Sequence, residues 1–311
     1  MTLFTVIIPC YNAAASLEQT LATLRAQSLE DWEAILVDDG STDATPEILR
    51  KAACEDHRIR LLHQENCGPS IARNAALPFA RGLNIAFLDA DDLWHKDKLA
   101  EHHRFFEEHA MVDIAFAKIA FFKTDPKNPS TVSTVPTTPL SVLDLLRENV
   151  VCTMSNLVLR REVIHAVGGL DENLIHGEDR HWLVRAAARG FVISGFDKPM
   201  VSYRATTTGL SADLDGMHRG WQASVTAALS LGASLSPKQL RRAEAIYLRY
   251  LARRALRLNQ PGMVAARYAL RGIALSPTAF LSELRRGLPT LLGSLTAPLL
   301  PSQIRHALYS D

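Results

Sequence analysis

The first 95 residues alternate between short apolar runs and longer segments that carry apolar residues at helical spacing. The runs are rich in β-branched residues, as expected of strands buried on both faces, and the longer segments place leucines three or four positions apart. Strands are predicted at residues 3–9, 32–37, 58–63 and 83–88, and helices at 14–27, from a cap at Ser41 or Thr42 to residue 54, and at 70–81 behind Pro69. This alternation predicts a doubly wound, mostly parallel α/β sheet.

The pattern changes after residue 95 and loses its strand signals after residue 211. Helices are predicted at residues 95–109 and 178–189, strands at 113–122, 155–159, 191–196 and 200–203, and a mobile loop at 124–139. Residues 216–311 repeat apolar positions every three or four residues between prolines, which predicts several amphipathic helices. We therefore expect an α/β domain over 1–210, with a nucleotide-binding half (1–110) and an acceptor half (111–210), followed by a basic α-helical region over 211–311.

Composition narrows the class of protein only slightly. The 311 residues are 47% hydrophobic and 22% charged, as in globular proteins, which excludes a disordered or collagen-like chain. The four cysteines are too far apart for a disulfide framework or a thiolate zinc site. No apolar run of about 18 residues could span a bilayer, and the first residues lack the features of a signal peptide. These features predict a cytoplasmic protein.

Charge is distributed unevenly along a chain whose net charge is +1. Residues 216–311 carry 13 Lys and Arg against 3 Asp and Glu. Six arginines of this region recur at helical spacing: Arg241, Arg242, Arg249, Arg253, Arg254 and Arg257. One interpretation is a surface that docks on anionic lipid at the inner face of the cell membrane. The other is a helical cap with its arginines in water or paired with acidic groups.

Acidic residues follow two of the predicted strands at the point where each ends. Asp38 and Asp39 follow one strand, and Asp89, Asp91 and Asp92 follow another. In an open α/β sheet ligands bind at the carboxyl ends of the strands, so we expect these carboxylates to meet at neighbouring sheet tips. Like charges in such a cluster repel, and Mg²⁺ or Mn²⁺ bound together with phosphate oxygens is the usual counter-charge. The alternative is a set of solvated loop acids.

The chain lacks the glycine-rich sequences that bind phosphates through backbone amides. No GxGxxG follows the first strand, and no GxxxxGK[ST] occurs anywhere in the chain. A bound diphosphate would therefore need a metal ion and basic side chains, and Arg73 is the candidate. Arg73 could equally be an ordinary surface arginine.

Five motifs in order resemble the family 2 glycosyltransferases of the GT-A fold. They are VIIPCYNAAASLEQTL, AILVDDGSTDAT, ENCGPSIARNAAL, IAFLDADDLW and GGLDENLIHGEDRHWLVRAAARG, and together they cover about the first 205 residues. The resemblance implies an inverting transfer of a sugar from a nucleotide-diphosphate sugar, with UDP favoured and with Mn²⁺ or Mg²⁺ holding the diphosphate. It says little about residues 211–311.

The resemblance also implies roles for individual residues. The nucleotide-binding positions are Pro9 and Tyr11 at the base, Asp39 at the base edge, Arg73 near the phosphates and Asp89 at the ribose or the metal. Asp91 matches the metal ligand of the DxD motif, with Asp89 as its companion; Asp92 could share either task, and Asp38 is given none. Asp179 matches the general base, and Glu178 stands beside it. A carboxylate on the acceptor side is also what inversion in one displacement requires, because the acceptor hydroxyl must lose its proton.

Two features of the later motifs leave alternatives open. Trp182 lies one helical turn beyond Asp179 and is either an apolar wall on the acceptor side or a core tryptophan. The stretch after Tyr203 and Arg204 lacks a histidine that family members often carry there. Either the metal relies on Asp91, phosphates and water, or a histidine from elsewhere substitutes, and His176 and His181 are the nearest.

The sequence thus predicts a metal-dependent glycosyltransferase acting on a carbohydrate or glycolipid acceptor in surface polysaccharide or glycolipid synthesis. A nucleotide-sugar-binding protein without turnover is the alternative that the missing histidine suggests. A nucleotidyltransferase also uses paired aspartates, but it requires a basic, glycine-rich loop that residues 9–12 do not provide. No feature indicates nucleic-acid binding.

Overall fold

A computed structural model of the chain describes residues 2–204 and 212–309. The described residues form two compact units, one made of 2–140 with 150–204 and the other of 141–149 with 212–309. The boundary predicted at residue 210 lies outside the described residues. Residues 141–149, which we expected in the acceptor half of the first domain, pack with the second unit.

The first unit is built on one mixed sheet. Its strands are β1 (Phe4–Cys10), β2 (Trp32–Asp39), β3 (Ile59–Gln64), β4 (Asn84–Phe87), β5 (Leu93–Trp94), β6 (Ile114–Phe122), β7 (Thr131–Val132), β8 (Val158–Arg160) and β9 (Ile193–Arg204). Their order is β3-β2-β1-β4-β8-β6-β9-β5, with β7 paired to β6. Strands β1 to β4 are mutually parallel, β6 pairs β9 in parallel, and β5, β7 and β8 pair antiparallel. The predicted α/β class is confirmed.

Helices connect and cover these strands. They are α1 (Leu17–Arg25), α2 (Thr45–Glu55), α3 (Pro69–Ala76), α4 (Lys98–Glu108), α6 (Arg161–Val167) and α7 (Glu178–Ala188). Helix α5 (Val142–Arg147) belongs to the second unit and does not take part in this layer. Helix α3 begins as its sequence predicts: Gly68 has a φ of 89°, and Pro69 occupies the first helical position. The core lies where β1, β2 and β4 meet α1 and α4, and all eight residues of β2 are buried, including Asp38 and Asp39.

Several local predictions were wrong. Neither Ser41 nor Thr42 caps α2, which follows Ala44; instead the Asp43 carboxylate accepts the Thr45 amide at 2.9 Å. Residues 154–156 form a 3₁₀ turn rather than the start of a strand, and β8 begins only at Val158. The two short strands expected at 191–196 and 200–203 are one strand, β9, because a register shift against β6 near Lys118 absorbs the irregular middle. Part of the loop predicted at 124–139 pairs with β6 as β7.

The second unit is helical, as the spacing predicts. It contains α8 (Leu214–Ser230), α9 (Pro237–Arg257), α10 (Gly262–Leu275), α11 (Pro277–Phe280), α12 (Leu284–Thr296) and α13 (Ser302–Tyr309), together with α5. Helix α9 begins with a capping box between Ser236 and Gln239 and with Pro237 at its first position. Across the two described ranges, no helix combines the length and apolarity that crossing a bilayer requires.

Candidate active site

The carboxyl ends of three parallel strands define the candidate site. In register, Cys10 at the end of β1 lies beside Asp38 of β2, and Ile7 of β1 lies beside Phe87, the last residue of β4. The two acidic clusters therefore emerge on either side of β1 at one edge of the sheet. They are not on neighbouring strands as we expected, because β1 runs between β2 and β4.

The loop after β1 holds Tyr11 in the open. Its side chain is 51% exposed, while Pro9 just before it is half-buried. Asn12 has a φ of 46°, its amide donates to the Ser41 hydroxyl at 3.1 Å, and its side-chain oxygen accepts the Thr42 amide at 2.8 Å. The loops that follow β1 and β2 are thereby joined, and the Tyr11 ring is available for stacking on a planar ligand.

Asp39 is buried and organises the loop that precedes α3. Its Oδ1 accepts the Gln64 side-chain amide at 2.7 Å and the Cys67 amide at 2.9 Å, and its Oδ2 accepts the Gly68 amide at 2.9 Å. A carboxylate oxygen has two lone pairs, so only Oδ2 keeps an acceptor position for a ligand. Asp38 accepts the Ser41 amide and pairs with His63, which makes it a structural residue.

Arg73 connects the two carboxylate motifs that the sequence separates by 89 positions. Its side chain is 4% exposed, and its Nη2 donates to Asp89 at 2.5 Å while its Nη1 lies 3.5 Å from Glu178. Burial alone would lower the pKa of Arg73, but the carboxylates of Asp89, Glu178 and Asp179 raise it, so the guanidinium stays charged. Its Nε and Nη1 have no hydrogen-bond partner among the described residues. The surface alternative for Arg73 is therefore wrong.

Two residues that we did not predict, a threonine and a serine, position Asp89, the first residue of the DxD motif. Thr153 donates to Asp89 Oδ2 at 2.9 Å and lies 3.4 Å from Asp92, and the Ser155 hydroxyl accepts the Asp89 amide at 2.9 Å. The preceding Cys152 has a φ of 70°, a conformation that is costly for a residue with a side chain. Nothing in the sequence around Thr153 marks it, because its role depends on β4 and the 153–156 turn meeting in space.

Asp91 is the carboxylate of the cluster that remains open. It is exposed, and none of the described side chains forms an ion pair with it, whereas Asp92 is buried and accepts the Arg204 amide. The protein around Asp91 and the negative charge of Asp89 raise its pKa to about 6, against the opposing effect of Arg204. Burial and the negative charges of Asp89 and Asp91 raise the pKa of Asp92 well above its usual range.

This arrangement fits a metal ion that the substrate helps to bind. Within residues 2–204 and 212–309, no three His, Cys, Asp or Glu side chains are grouped so as to hold a metal. Asp89 is already bonded to Arg73 and Thr153, which leaves Asp91 as the available carboxylate. Mg²⁺ commonly takes one or two carboxylates and completes its shell with water and phosphate oxygens. A single open carboxylate beside a buried arginine suits that mode of binding.

Glu178 and Asp179 stand at the first positions of α7, where the helix dipole favours negative charge. Glu178 is largely buried, and burial together with repulsion from Asp179 raises its pKa to about 7 although Arg73 opposes the shift. Asp179 accepts the adjacent Arg180 amide at 2.6 Å and is only half-buried. A partly open carboxylate next to the guanidinium of Arg73 can receive a proton from an incoming hydroxyl.

The remaining predicted residues do not face this cluster. Trp182 is 1% exposed and its indole donates to the Gly168 carbonyl at 2.8 Å, so it is a core tryptophan and not an acceptor wall. His181 is buried, and burial, with a smaller effect from Arg185, lowers its pKa. The stretch after Arg204 in which the family histidine is missing lies mostly outside the described residues, so the substitute histidine is not identified.

A family model and individual relatives both agree with the family that the motifs indicate. A family model described as glycosyl transferase family 2 matches residues 5–168. The teichuronic acid biosynthesis glycosyltransferase TuaG of Bacillus subtilis is 30% identical over 213 residues, which is 68% of this chain and 82% of TuaG. The amylovoran biosynthesis glycosyltransferase AmsB of Erwinia amylovora is 30% identical over 218 residues, covering 66% of this chain and 70% of AmsB.

Solved structures of similar fold include two proteins in complex with nucleotide sugars. Residues 1–349 of S. aureus TarS in complex with UDP-GlcNAc align with a TM-score of 0.65 and 19% identity, over 94% of this chain and 90% of that one. The mannosyltransferase PcManGT of Pyrobaculum calidifontis, in complex with GDP-Man and Mn²⁺, aligns with a TM-score of 0.60 and 21% identity, over 99% and 86% of the two chains. At these identities the likeness establishes the GT-A fold.

Proposed function

The chain belongs to glycosyl transferase family 2, and from that premise we propose that it moves a sugar from a nucleotide-diphosphate sugar, with UDP favoured, to a hydroxyl group with inversion at the anomeric carbon. The observation that carries the proposal is the buried guanidinium of Arg73 between Asp89 and Glu178. It places the nucleotide-side motif and the proposed base motif around a single positive charge.

Residues on the nucleotide side and on the acceptor side of Arg73 have different roles. Tyr11 stacks on the base, and Pro9 lines the base pocket. Asp39 accepts a hydrogen bond from the edge of the base through the remaining acceptor position on Oδ2. Two guanidinium nitrogens of Arg73 have no hydrogen-bond partner in residues 2–204 and 212–309, although one of them lies 3.5 Å from Glu178, and these are the donors that would bind phosphate oxygens. On the acceptor side, a carboxylate oxygen of Asp179 takes the proton of the acceptor hydroxyl as the new C–O bond forms and the bond to the diphosphate breaks.

Asp91 is the residue that would hold a divalent cation, with Asp89 beside it. When bound, the cation supplies positive charge to the leaving diphosphate. Arg73 provides charge at the same place from the protein itself, and such preorganised charge is commonly the largest contribution to transfer. Glu178 sets the position of Arg73 and adds negative charge next to Asp179.

For the acceptor we propose a carbohydrate or glycolipid in surface polysaccharide synthesis. TuaG and AmsB, which are 30% identical to this chain over more than 200 residues, are both named for polysaccharide biosynthesis, and this supports the proposal. A binding protein without turnover is the second candidate, and the transfer assay separates the two.

The test is turnover of UDP-, GDP- and dTDP-sugars with Mn²⁺ or Mg²⁺, comparing the parent chain with Asp91→Asn, Asp179→Asn and the exposed Asp125→Asn as a control. We expect Asp179→Asn to lose at least about 10³-fold in transfer and to keep nucleotide binding, since only the proton acceptor is removed. Asp91→Asn should lose both transfer and metal-dependent nucleotide binding, and Asp125→Asn should change neither. Normal turnover by Asp179→Asn would refute the assignment of the base, and nucleotide binding without transfer in the parent chain would favour the second candidate.

A further inference from the structure

Helix α12 packs with its apolar side facing outwards. The residues it buries are small or polar: Gly287, Thr290, Gly293 and Ser294, followed by Ala297 in the next turn. Leu291 of this helix is partly buried, but five other leucines of the helix and of the turn after it are exposed by between 43% and 82%: Leu284, Leu288, Leu292, Leu295 and Leu299. We call these five residues the leucine face. Their spacing of three or four positions places them on one side of the helix, opposite the buried residues.

Close packing explains this orientation. A Cβ atom at Gly287 would lie 2.6 Å from the Phe280 carbonyl oxygen, and one at Gly293 would lie 3.2 Å from both Leu256 and Tyr309. Helix α12 therefore approaches α11 and α9 more closely than large side chains allow. The leucines have no room on that side and remain in contact with water, where an apolar patch is unfavourable unless something covers it.

The charges around the leucine face indicate what covers it. Residues 284–310 contain Arg285, Arg286 and Arg305 and no acidic residue. Arg285 is adjacent to Leu284 and exposed, and the following helix α13 adds the exposed Ile304 and Leu308. Arg286 is paired with Glu148 and with Glu283, the residue just before α12, so Arg285 is the exposed arginine beside the leucine face that has no ion pair among the described residues. An apolar helix face bordered by an exposed basic side chain is typical of helices that lie in the plane of a membrane interface.

We propose that the leucine face docks on an anionic lipid bilayer, with α12 lying parallel to the membrane and Arg285 at the level of the phosphates. This surface is different from the arginine-rich face of α9 that the sequence suggested. Arg249 of α9 is 1% exposed and bonded to Glu148 and Glu283, so it cannot reach lipid. The proposal stands apart from the transfer chemistry, because it uses none of the residues of the candidate active site.

Vesicle flotation of the full chain tests the proposal. The vesicles are phosphatidylcholine alone or an equal mixture of phosphatidylcholine and phosphatidylglycerol. We expect the parent chain to float with the mixed vesicles, and Leu288→Gln/Leu292→Gln to lower the partition coefficient by about tenfold or more. Arg285→Gln should lower partition into the mixed vesicles by about fivefold. Met111→Gln, at a position 80% exposed in the first unit, serves as the control and should change nothing.

Thermal unfolding and analytical ultracentrifugation distinguish a loss of lipid docking from a loss of folding and from dimerisation. Thermal unfolding of the leucine variant should match the parent chain, because both side chains are already about half exposed. Equal flotation with neutral and anionic vesicles, or no flotation at all, overturns the proposal. So does analytical ultracentrifugation that shows a dimer which the leucine variant converts to monomer, because the face would then be covered by a second copy of the chain.

Discussion

Arg73 in the first unit and Arg249 in the second are both almost fully buried, and they differ in how their donors are used. Arg249 in the second unit is bonded to Glu148 at 2.9 Å, Glu283 at 2.7 Å and the Phe280 carbonyl at 3.2 Å. Arg73 in the first unit has one strong bond, to Asp89, and two nitrogens without hydrogen-bond partners among the described residues. A buried donor without a partner costs free energy, and a ligand that accepts from it would recover that cost.

Burial of a charged side chain therefore does not by itself identify a functional site. Arg249 joins α9 to the end of α5 and to the start of α12, and its acidic partners are partly exposed to water. Arg73 lies between Asp89 and Glu178, the two motifs that we propose act on one substrate, and two of its nitrogens have no hydrogen-bond partner among the described residues. Arg249 is therefore expected to contribute to stability, and Arg73 to transfer.

The largest expected effect is on stability. Arg249→Ala should lower the free energy of unfolding by about 3 kcal/mol, because it removes the shared partner of two carboxylates and leaves a cavity. Denaturant unfolding measures the change, and the exposed Arg257→Ala on the same helix should stay within about 0.5 kcal/mol of the parent chain. A loss below about 1 kcal/mol for Arg249→Ala would contradict the structural role.

Arg73→Lys should lower kcat/KM for transfer by about 10²-fold while the chain stays folded. Lysine keeps the charge but cannot donate from a planar fork to Asp89 and to phosphate at once. Steady-state kinetics measure the effect, with the exposed Arg81→Lys and the structural Arg249→Lys as controls. Unchanged kinetics in Arg73→Lys would show that Arg73, like Arg249, has no specific role in transfer.

Glu178→Gln should change how stability depends on pH. Glu178 has an ordinary pKa of 4.5 when unfolded and about 7 when folded, so the folded state binds its proton more tightly and stability falls as pH rises between these values. Glutamine removes this dependence, which should stabilise the variant by about 1–3 kcal/mol relative to the parent at pH 8 and not at pH 4. Unfolding curves at both pH values test it, and parallel profiles for the two proteins would show that the raised pKa is absent.

The smallest expected effect concerns the second contact of Asp89. Thr153→Val keeps the shape but removes the hydroxyl that donates to Asp89, and we expect about a tenfold loss in kcat/KM with nucleotide affinity reduced less. Thr153→Ser retains the hydroxyl and should recover most of the activity. If serine and valine behave alike, packing at position 153 matters and the hydrogen bond does not.

Much of the first unit followed from local sequence. Strands β1 to β4 and helices α1 to α4 appear within a few residues of their predicted places, because buried parallel strands and amphipathic helices have distinct periods. The turn at residues 154–156 and the continuous β9 did not, because the turn depends on its contacts with β4 and β6, and β9 depends on its register against β6. Among site residues, Tyr11, Asp89 and Asp91 emerge at the predicted sheet edge, whereas Thr153 and Ser155 had no local signal.

What the amino-acid sequence determined alone was the order of elements, the family motifs and the positions of acids at strand ends, since each depends on residues close together in the chain. Only the tertiary structure decided that Arg73 lies between Asp89 and Glu178, that Arg249 is buried, and that the leucines of α12 face outwards. The helical spacing of those leucines predicts one apolar face but not its direction. That direction depends on how closely neighbouring helices approach, and Gly287 and Gly293 allow the small side of α12 to pack inwards.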